Sequence, residues 1–210
     1  MFDAVIFDLD GTLIDTESLA LSAGIEAFAA MGNPVDPAFL HGLVGKDNPT
    51  GARLIRAAYP ALDMVALDKR WAAGFEKRMA GGMPLRPGAL DLLTQLTLPK
   101  AIATSSGRKG AARKINLAGL AHHFTHVIVL EDVKAPKPAP DAYLLAARRL
   151  GMNPARCVVF EDSDVGAEAA HRAGMHVVQV PDVNPTEGRY AHMVAPDLLS
   201  AARSLGLIPV

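Results

Sequence analysis

Short, continuous apolar runs alternate with helical patterns along most of the chain. The runs are rich in valine and isoleucine, and their continuity predicts strands that are covered on both faces. The five predicted strands are Ala4–Phe7, Lys100–Ala103, Val127–Leu130, Val158–Phe160 and His176–Val180. Helical spacing of apolar positions follows between the later runs, at Gly110–Leu117, Pro140–Leu150 and Val165–Ala173. Because strands and helices alternate, we predict an α/β fold, a parallel sheet with helices on both faces.

One interval in this pattern is too long for a simple crossover. Residues 8–99 separate the first two predicted strands, although a connection through one helix needs only about a dozen residues. Three segments of this interval have helical rather than strand-like spacing, namely Glu17–Met31, Pro49–Tyr59 and Asp63–Met79. We therefore predict an inserted helical domain at residues 16–83, within a core made of residues 1–15 and 84–210. Its edges, near Thr16 and the Gly81-Gly82 pair, could act as hinges.

Composition and charge exclude several classes of function. The 210 residues include 21 Lys+Arg and 22 Asp+Glu, a formal net charge of −1, which lacks the basic excess of nucleic-acid-binding proteins. The sequence also contains no uncharged segment long enough to cross a bilayer and no basic leader typical of a signal peptide. The single cysteine, Cys157, lies in an apolar run and has no disulfide partner. We expect a cytoplasmic protein without nucleic-acid or membrane partners, and nothing in the sequence indicates a protein partner.

Polar residues follow three of the predicted strands, at the edge where α/β sheets bind ligands. Asp8 and Asp10 follow the first strand, and their spacing allows both carboxylates to reach one point. Gly11 and Thr12 then turn the chain and are expected to expose backbone N–H groups that could bind an anion. Two aspartates at this spacing also occur at solvated strand ends. The residues after the other strands therefore decide whether this edge of the sheet is a functional site.

The second predicted strand is followed by hydroxyl groups. Thr104, Ser105 and Ser106 stand just before a helix that begins near Arg108, where the helix dipole favours negative charge. The side chains and N–H groups of this segment therefore predict an anion site.

Two more carboxylates, Glu161 and Asp162, follow the fourth predicted strand. Four carboxylates beside an anion site would repel one another and a phosphate unless a divalent cation were bound. Hard oxygen ligands and phosphate chemistry favour Mg²⁺. Lys137 lies between Pro136 and Pro138, where a stiff loop would let it offset the charge of a phosphate and a carboxylate.

Four segments in order resemble the motifs of the haloacid dehalogenase superfamily. They are Asp8-Leu9-Asp10-Gly11-Thr12-Leu13, Thr104-Ser105-Ser106, Lys137-Pro138-Ala139-Pro140-Asp141 and Glu161-Asp162-Ser163. The run from Val159 to Met175 is similar to the branch that includes β-phosphoglucomutase and many sugar-phosphate phosphatases. The resemblance covers essentially the whole chain, and it implies a Rossmann-like catalytic core with a helical cap. The motifs are specific for the superfamily and poorly specific for the substrate.

The resemblance implies a role for each motif residue. Asp8 would attack phosphorus and form an aspartyl-phosphate, while Asp10 would protonate the leaving oxygen and then activate water. Thr104 and the N–H of Ser105 would bind the phosphoryl group, and Lys137 would neutralise its charge. Gly11, Thr12, Thr16, Lys46, Asn48 and Ser106 complete the expected substrate-binding set.

The resemblance also implies a Mg²⁺ site. Asp8, Asp162 and the backbone carbonyl of Asp10 would bind the ion, and Glu161 would bind or support it. The true dehalogenases of the superfamily keep the nucleophile without the second aspartate or the metal cluster. The presence of Asp10, Glu161 and Asp162 therefore favours phosphoryl transfer.

The residues of the cap distinguish between two possible reactions, that of a phosphatase and that of a mutase. Gly45-Lys46-Asp47-Asn48 corresponds to the cap loop that reaches the active site in the mutase, as Thr16 corresponds to a residue just after its first motif. Val44 stands where the mutase pattern has a basic residue, and Lys46 is the only cation nearby. A mutase must hold a second phosphate while excluding water, so this thin set of cations favours a phosphatase, with Lys46 and Asn48 as specificity residues.

The sequence thus predicts a Mg²⁺-dependent phosphatase for a small phosphorylated metabolite, with a sugar phosphate as the expected substrate and a phosphosugar mutase as the alternative. A signalling receiver domain also uses acidic residues, Mg²⁺, a hydroxyl and a lysine. Its acceptor aspartate, however, does not lie in a D-x-D-G-T segment after the first strand, and it has no helical insert of this size. A catalytically idle sensor is disfavoured because Asp8 and Asp10 are both present.

Overall fold

The computed structural model describes residues 1–44, 48–182 and 185–209, without the side chain of Asn48. Its contacts divide the chain into two compact units. Unit 1 consists of Met1–Asp15 and Met83–Val210, and unit 2 is Thr16–Gly82. The sequence prediction assigned Met83 to the inserted domain, whereas the contacts assign this buried residue to unit 1.

Unit 1 contains a parallel sheet of six strands in the part of the chain that is described. The strands are β1 (Ala4–Phe7), β2 (Lys100–Ala103), β3 (His126–Ile128), β4 (Cys157–Glu161), β5 (His176–Gln179) and β6 (Met193–Val194). Their order is β3-β2-β1-β4-β5-β6, so β1 lies between β2 and β4. Phe7 is opposite Ile102 on one side and Phe160 on the other. The predicted α/β class and parallel sheet are confirmed.

Both faces of the sheet are buried, which explains why the strand sequences are continuously apolar. Ala4, Ile6 and Val159 belong to a core cluster on one face, together with residues of two helices. Phe7 and Phe160 alternate with them and point to the opposite face, where their rings stack with centroids 5.2 Å apart. The four residues of β1 are completely inaccessible to solvent.

The helices follow the spacing of apolar residues. Unit 2 contains α1 (Thr16–Ala30), α2 (Pro37–His41), α3 (Asn48–Ala58) and α4 (Met64–Ala80), and unit 1 contains α5 (Ala89–Gln95), α6 (Arg108–Leu117), α7 (Asp141–Leu150), α8 (Asp164–Arg172) and α9 (Leu198–Ser204). In unit 1, α7 packs on β1, β2 and β3, while α8 packs on β4 and β5. The helices α5 and α9 contact each other.

Some elements differ from the sequence prediction. The third strand ends at Ile128 instead of Leu130, because residues Leu130–Asp132 form a 3₁₀ turn. The apolar pattern did not predict α2, α9 and β6, which have five, seven and two residues. Elements this short do not complete a recognisable apolar period. An aspartate cap precedes each missed helix, Asp36 before α2 and Asp197 before α9, and this signal was present in the sequence.

The order of the strands creates a switch point between β1 and β4. The chain moves outward from β1 to β2 and β3, and then returns to the other side of β1 to form β4. Loops leave the carboxyl ends of β1 and β4 in opposite directions at this point, and open α/β sheets bind their ligands in the resulting crevice. The topology therefore indicates where the functional site of unit 1 lies.

Unit 2 has a core of its own, formed by helices. Phe28 is fully buried in α1 and makes edge contacts with Tyr59 and Trp71. The indole N–H of Trp71 in α4 donates a hydrogen bond to the carbonyl of Ala20 in α1, with an N···O distance of 2.7 Å. Asp63 caps the first turn of α4 by accepting from two backbone N–H groups. These contacts give the inserted segment a stable helical core.

Throughout the described ranges, each helix is either too short or too polar to cross a lipid bilayer.

Candidate active site

The predicted motif residues of unit 1 line a cavity of about 280 Å³ at the carboxyl ends of the strands. Asp8 follows β1, Thr104 follows β2, Lys137 lies in the loop after β3, and Glu161 ends β4. The predicted residues that line this cavity are Asp8, Asp10, Thr104, Ser105, Ser106, Lys137, Glu161 and Asp162. The cavity thus lies beside the switch point between β1 and β4.

A buried lysine joins the carboxylates that follow β1 and end β4. Lys137 Nζ lies 2.6 Å from Asp8 Oδ1 and 2.7 Å from Glu161 Oε1. The Lys137 side chain is 5% exposed, and those of Asp8 and Glu161 are 9% and 1% exposed. Since a buried charge is costly without a partner, these three groups depend on one another.

Glu161 is held by four hydrogen bonds, two to each oxygen. Oε1 accepts from Lys137 and from the hydroxyl of Tyr143 at 3.0 Å, and Oε2 accepts from the backbone N–H and the hydroxyl of Ser163, each at 2.9 Å. The Lys137 ammonium also lies 4.8 Å from the centre of the Tyr143 ring. Glu161 therefore has a fixed orientation and in turn fixes Lys137.

A glycine in α8 makes room for this carboxylate. A Cβ atom on Gly166 would lie 1.6 Å from Glu161 Oε1. The N–H of Gly166 instead donates to the hydroxyl of Ser163, which caps the helix. The start of α8 can thus approach the end of β4 closely enough to hold Glu161.

Burial and charge set the pKa values of these groups. Burial raises the pKa of Asp8 to about 7, although Lys137 opposes the shift. Burial also lowers the pKa of Lys137, but the attraction of Asp8 and Glu161 outweighs it, so the pKa ends well above its usual range. Burial raises the pKa of Glu161, but Lys137 and the bonds from Ser163 prevail and leave it lowered. Lys137 and Glu161 are therefore ionised at neutral pH.

Asp162 has the most raised pKa of the cluster. Burial, together with the negative charges of Glu161 and Asp8, raises its pKa to about 9. Its Oδ1 accepts a hydrogen bond of 3.2 Å from the hydroxyl of Thr12. A cation close to Asp162 would remove part of the electrostatic cause of this shift.

Carboxylate oxygens of Asp8, Glu161 and Asp162 all lie within 4.8 Å of one another, close enough to surround one metal ion. When all three carboxylates are deprotonated, one lysine leaves an excess of negative charge, and hard oxygen donors of this kind fit Mg²⁺ or a similar cation. The donor set and the raised pKa values of Asp8 and Asp162 therefore fit a divalent metal. Because the oxygens of Glu161 accept four hydrogen bonds, they are less available to the ion than those of Asp8 and Asp162.

The carboxylate of Asp10 has partners different from those of Asp8. Lys114 Nζ lies 2.6 Å from Asp10 Oδ1, and Ser106 Oγ donates to Asp10 Oδ2 at 2.8 Å. Lys114 also donates to Ser106 Oγ at 3.1 Å. Lys114 could not be predicted from the sequence, because it lies in the last turn of α6 and belongs to no motif.

The turn after β1 differs from the expected anion cradle. Gly11 has a φ of +84°, and a Cβ atom there would lie 2.4 Å from Asp162 Oδ2. Its N–H donates to the carbonyl of Ile14 at 2.9 Å, so this group does not serve an anion as expected. The Thr12 hydroxyl is bonded to Asp162. Gly11 and Thr12 therefore contact Asp162 and shape the side of the site on which it lies.

The segment after β2 also differs in part from the expectation. Thr104 is buried, and its Oγ1 accepts a hydrogen bond of 3.0 Å from the N–H of Ser106, so its own proton can serve an anion. At the N-terminus of α6, however, both oxygens of Glu131 accept from the N–H of Arg108, at 2.9 and 3.0 Å. A carboxylate of the protein itself thus lies at the positive end of the helix dipole.

Three of the predicted substrate-binding residues belong to the inserted segment. Thr16 is buried at the first position of α1, in unit 2. Asn48 is the first residue of α3, and its side chain lies outside the description. Lys46 lies outside the described residues altogether.

Sequence reasoning missed Tyr143, Ser163 and Gly166 as supports of the site. Ser163 had a usable signal, since a serine just before a helical pattern predicts an N-cap. Gly166 lies in the run from Val159 to Met175 that resembles the family, but the resemblance gave it no role. Tyr143 had no signal, because its partner Glu161 is a neighbour in space and not in its own helix.

Comparisons with known proteins identify the family of the chain. Residues 5–180 match the family model for haloacid dehalogenase-like hydrolases. Fructose-1-phosphate phosphatase YqaB from Escherichia coli (strain K12) is 34% identical over 184 residues, which cover 85% of this chain and 96% of that protein.

Solved structures have the same architecture. A HAD family hydrolase from Deinococcus radiodurans R1, crystallised with bound phosphate and sodium, has a TM-score of 0.86 and 26% identity, covering 99% of this chain and 98% of that one. The structure of a protein described as a β-phosphoglucomutase from Thermotoga maritima has a TM-score of 0.78 and 28% identity, covering 92% of this chain and 94% of that one.

Proposed function

The chain belongs to the haloacid dehalogenase-like hydrolases, and from this premise we propose that it is a Mg²⁺-dependent phosphatase that hydrolyses a small phosphomonoester through an aspartyl-phosphate on Asp8. A sugar phosphate is the proposed substrate. The observation that carries the proposal is the buried arrangement of Asp8, Lys137 and Glu161 beside Asp162, at the floor of a cavity at the switch point of the sheet.

The two aspartates of the first motif have different roles: Asp8 is the nucleophile, and Asp10 transfers protons. In the first step, Asp8 Oδ attacks phosphorus, the bond from phosphorus to the leaving oxygen breaks, and Asp10 gives that oxygen a proton. In the second step, Asp10 takes a proton from water, the water oxygen attacks phosphorus, and the acyl-phosphate P–O bond breaks. Inorganic phosphate leaves, and the carboxylate of Asp8 is restored.

The remaining groups bind the transferring phosphoryl group. Lys137 lies against Asp8 and offsets the charge that collects on the phosphoryl oxygens. Thr104 and the N–H of Ser105 donate to these oxygens from the end of β2. Because Glu161 accepts from Lys137, and Tyr143 donates to Glu161 and places its ring beside the ammonium, Lys137 keeps its position through both steps.

We propose Mg²⁺ as the metal, held by Asp8, Asp162 and the carbonyl of Asp10. When bound, the ion offsets the negative charge of the phosphate and of the neighbouring carboxylates. Glu161 supports the site by holding Lys137 and Ser163. The compact carboxylate cluster and the raised pKa values of Asp8 and Asp162 support this assignment.

The substrate class follows from relatives and from the inserted unit. The relative named fructose-1-phosphate phosphatase acts on a sugar phosphate by its name, and it is similar over most of both chains. We propose that residues 16–83 act as a cap, and that Thr16, Lys46 and Asn48 select the leaving group. A cytoplasmic location, which the composition predicts, is compatible with a metabolite of this kind.

A mutase is the second candidate, because the similar structure from Thermotoga maritima is described as a β-phosphoglucomutase. The two reactions differ in the acceptor of the phosphoryl group, which is water in one case and a sugar hydroxyl in the other. The thin set of cations around residue 46 favours water as the acceptor.

The decisive test is ³¹P NMR of the wild-type protein with Mg²⁺ and a panel of sugar phosphates, including fructose 1-phosphate and glucose 1-phosphate with a trace of bisphosphate. We expect inorganic phosphate to accumulate. An isomeric phosphoester in its place would identify a mutase, and no change with any compound would contradict both candidates.

The matched control is Asp8→Asn, which keeps the size of the side chain and removes the nucleophile. We expect no turnover from this variant and a circular dichroism spectrum like that of the wild type. If Asp8→Asn releases phosphate at the wild-type rate, Asp8 is not the nucleophile.

A further inference from the structure

Lys114 in the last turn of α6 contacts Asp10 although 104 positions separate them in the chain. We propose that Lys114 is a positioning residue that holds the carboxylate of Asp10 in the orientation required for proton transfer. The inference rests on the proposed function, in which Asp10 is the acid and base. Lys114 belongs to none of the four motifs, and its role comes from its contacts alone.

The contacts form a closed ring of three side chains. Lys114 Nζ donates to Asp10 Oδ1 at 2.6 Å and to Ser106 Oγ at 3.1 Å, and Ser106 Oγ donates to Asp10 Oδ2 at 2.8 Å. Each oxygen of Asp10 thus has its own donor, and the two donors are bonded to each other. This arrangement fixes both torsion angles of the Asp10 side chain.

Asp10 needs such a support because of its place in the chain. It lies three residues after the end of β1, immediately before the turn at Gly11, and its side chain is 29% exposed. Asp8 in contrast is buried and is held by the strand next to it and by Lys137. A proton-transfer group has to stay within hydrogen-bond reach of the reacting atom, and misplacement by about 1 Å can cost about 100-fold in rate.

The site therefore uses two lysines for two aspartates. Lys137 pairs with Asp8 and Glu161, and Lys114 pairs with Asp10 and reaches Ser106. A purely stabilising role explains Lys114 less well, because partly exposed ion pairs contribute little to folding. The Lys114 side chain is 18% exposed, and it reaches from α6 to Asp10, which lines the cavity.

The test compares Lys114→Met, which keeps the length of the side chain without its charge, with Lys114→Arg, which keeps a donor. We expect Lys114→Met to lower kcat by about 10- to 100-fold with KM changed less than about twofold. Lys114→Arg should recover most of kcat. Lys109→Met, which removes a charge from the exposed side of the same helix, controls for a general electrostatic effect and should leave kcat unchanged.

A double mutant tests whether Lys114 acts through Asp10. We expect Asp10→Asn with Lys114→Met to be no slower in a single turnover than Asp10→Asn alone. Three results would overturn the proposal: an unchanged kcat in Lys114→Met, a rise in KM at constant kcat, or a double mutant that loses the full additional factor.

A structural measurement keeps this inference separate from the proposed function. In crystal structures of the wild type and of Lys114→Met, we expect one orientation of the Asp10 carboxylate in the former and several in the latter. One common orientation in both proteins would refute positioning by Lys114. If the wild type hydrolyses no phosphoester, the proposed function fails, while this comparison still decides whether Lys114 positions Asp10.

Discussion

Glu161 is the most constrained residue of the site, since it is 1% exposed and accepts four hydrogen bonds. Such a carboxylate is stable in the interior because each oxygen is satisfied and Lys137 supplies the opposite charge. Removal of one hydrogen-bond donor therefore tests how much each neighbouring residue contributes to the stabilisation of Glu161.

Tyr143→Phe removes one of these donors and keeps the buried ring. We expect the free energy of unfolding to fall by about 1 kcal/mol, because Oε1 keeps its bond from Lys137, and kcat to fall only a few-fold. Urea denaturation followed by circular dichroism measures the first effect. Tyr190→Phe is the control, since its ring contact with His171 survives the change. Equal losses in both variants would contradict the assigned bond.

At the scale of elements, the start of α8 is packed more tightly against its strand than the start of α6. The third residue of each helix is a glycine, Gly166 in α8 and Gly110 in α6. A Cβ atom on Gly166 would lie 1.6 Å from Glu161 Oε1, whereas one on Gly110 would meet no atom within 4 Å. The two positions form a matched pair for testing this approach of helix to strand.

Gly166→Ala should displace Glu161 and with it Lys137. We expect a loss of about 2–3 kcal/mol in the free energy of unfolding and a fall of kcat by about 100-fold or more, because overpacking and the lost charge partner add together. Gly110→Ala should be neutral or stabilising by about 0.5 kcal/mol, with normal activity. Thermal unfolding and steady-state kinetics measure both. Similar behaviour of the two variants would show that the close approach of α8 is unimportant.

At the scale of the whole molecule, the carboxylate cluster links stability to pH and to metal. Asp8 and Asp162 have pKa values raised to about 7 and about 9, whereas the unfolded chain releases these protons near pH 4. Between these limits the folded protein binds more protons than the unfolded one. The contribution of Asp8 and Asp162 to the free energy of unfolding of the metal-free protein therefore decreases when the pH rises from about 4 to about 9.

Mg²⁺ should reverse this loss, because it binds the deprotonated carboxylates of the folded protein. We expect the rise in melting temperature caused by Mg²⁺ to be larger at pH 8 than at pH 5.5, and binding to release protons at pH 7. Calorimetry in buffers of different ionisation enthalpy measures the proton release. Asp162→Asn should show a smaller shift at both pH values. An equal shift of the wild type at pH 5.5 and pH 8 would contradict the linkage.

The apolar pattern predicted the class of fold and most of its elements. Continuous runs identified β1, β2, β4 and β5 within about a residue, because buried parallel strands need apolar side chains on both faces. The interval before β2 predicted a helical insert, which appears as unit 2. The shortest elements were missed, since two to seven residues are too few to show the repeat of apolar positions that is typical of a helix or a strand.

The positions of carboxylates, hydroxyls and a lysine after the strands could be predicted without a structure, because the carboxyl ends of parallel strands share one edge of a sheet. How these groups pair became clear from the folded protein. Lys114 reaches Asp10, Tyr143 reaches Glu161, and Glu131 occupies the N-terminus of α6 where an anion site was expected. The physical reason is that hydrogen bonds and ion pairs depend on distances through space. Residues far apart in the chain meet only after the helices have packed on the sheet.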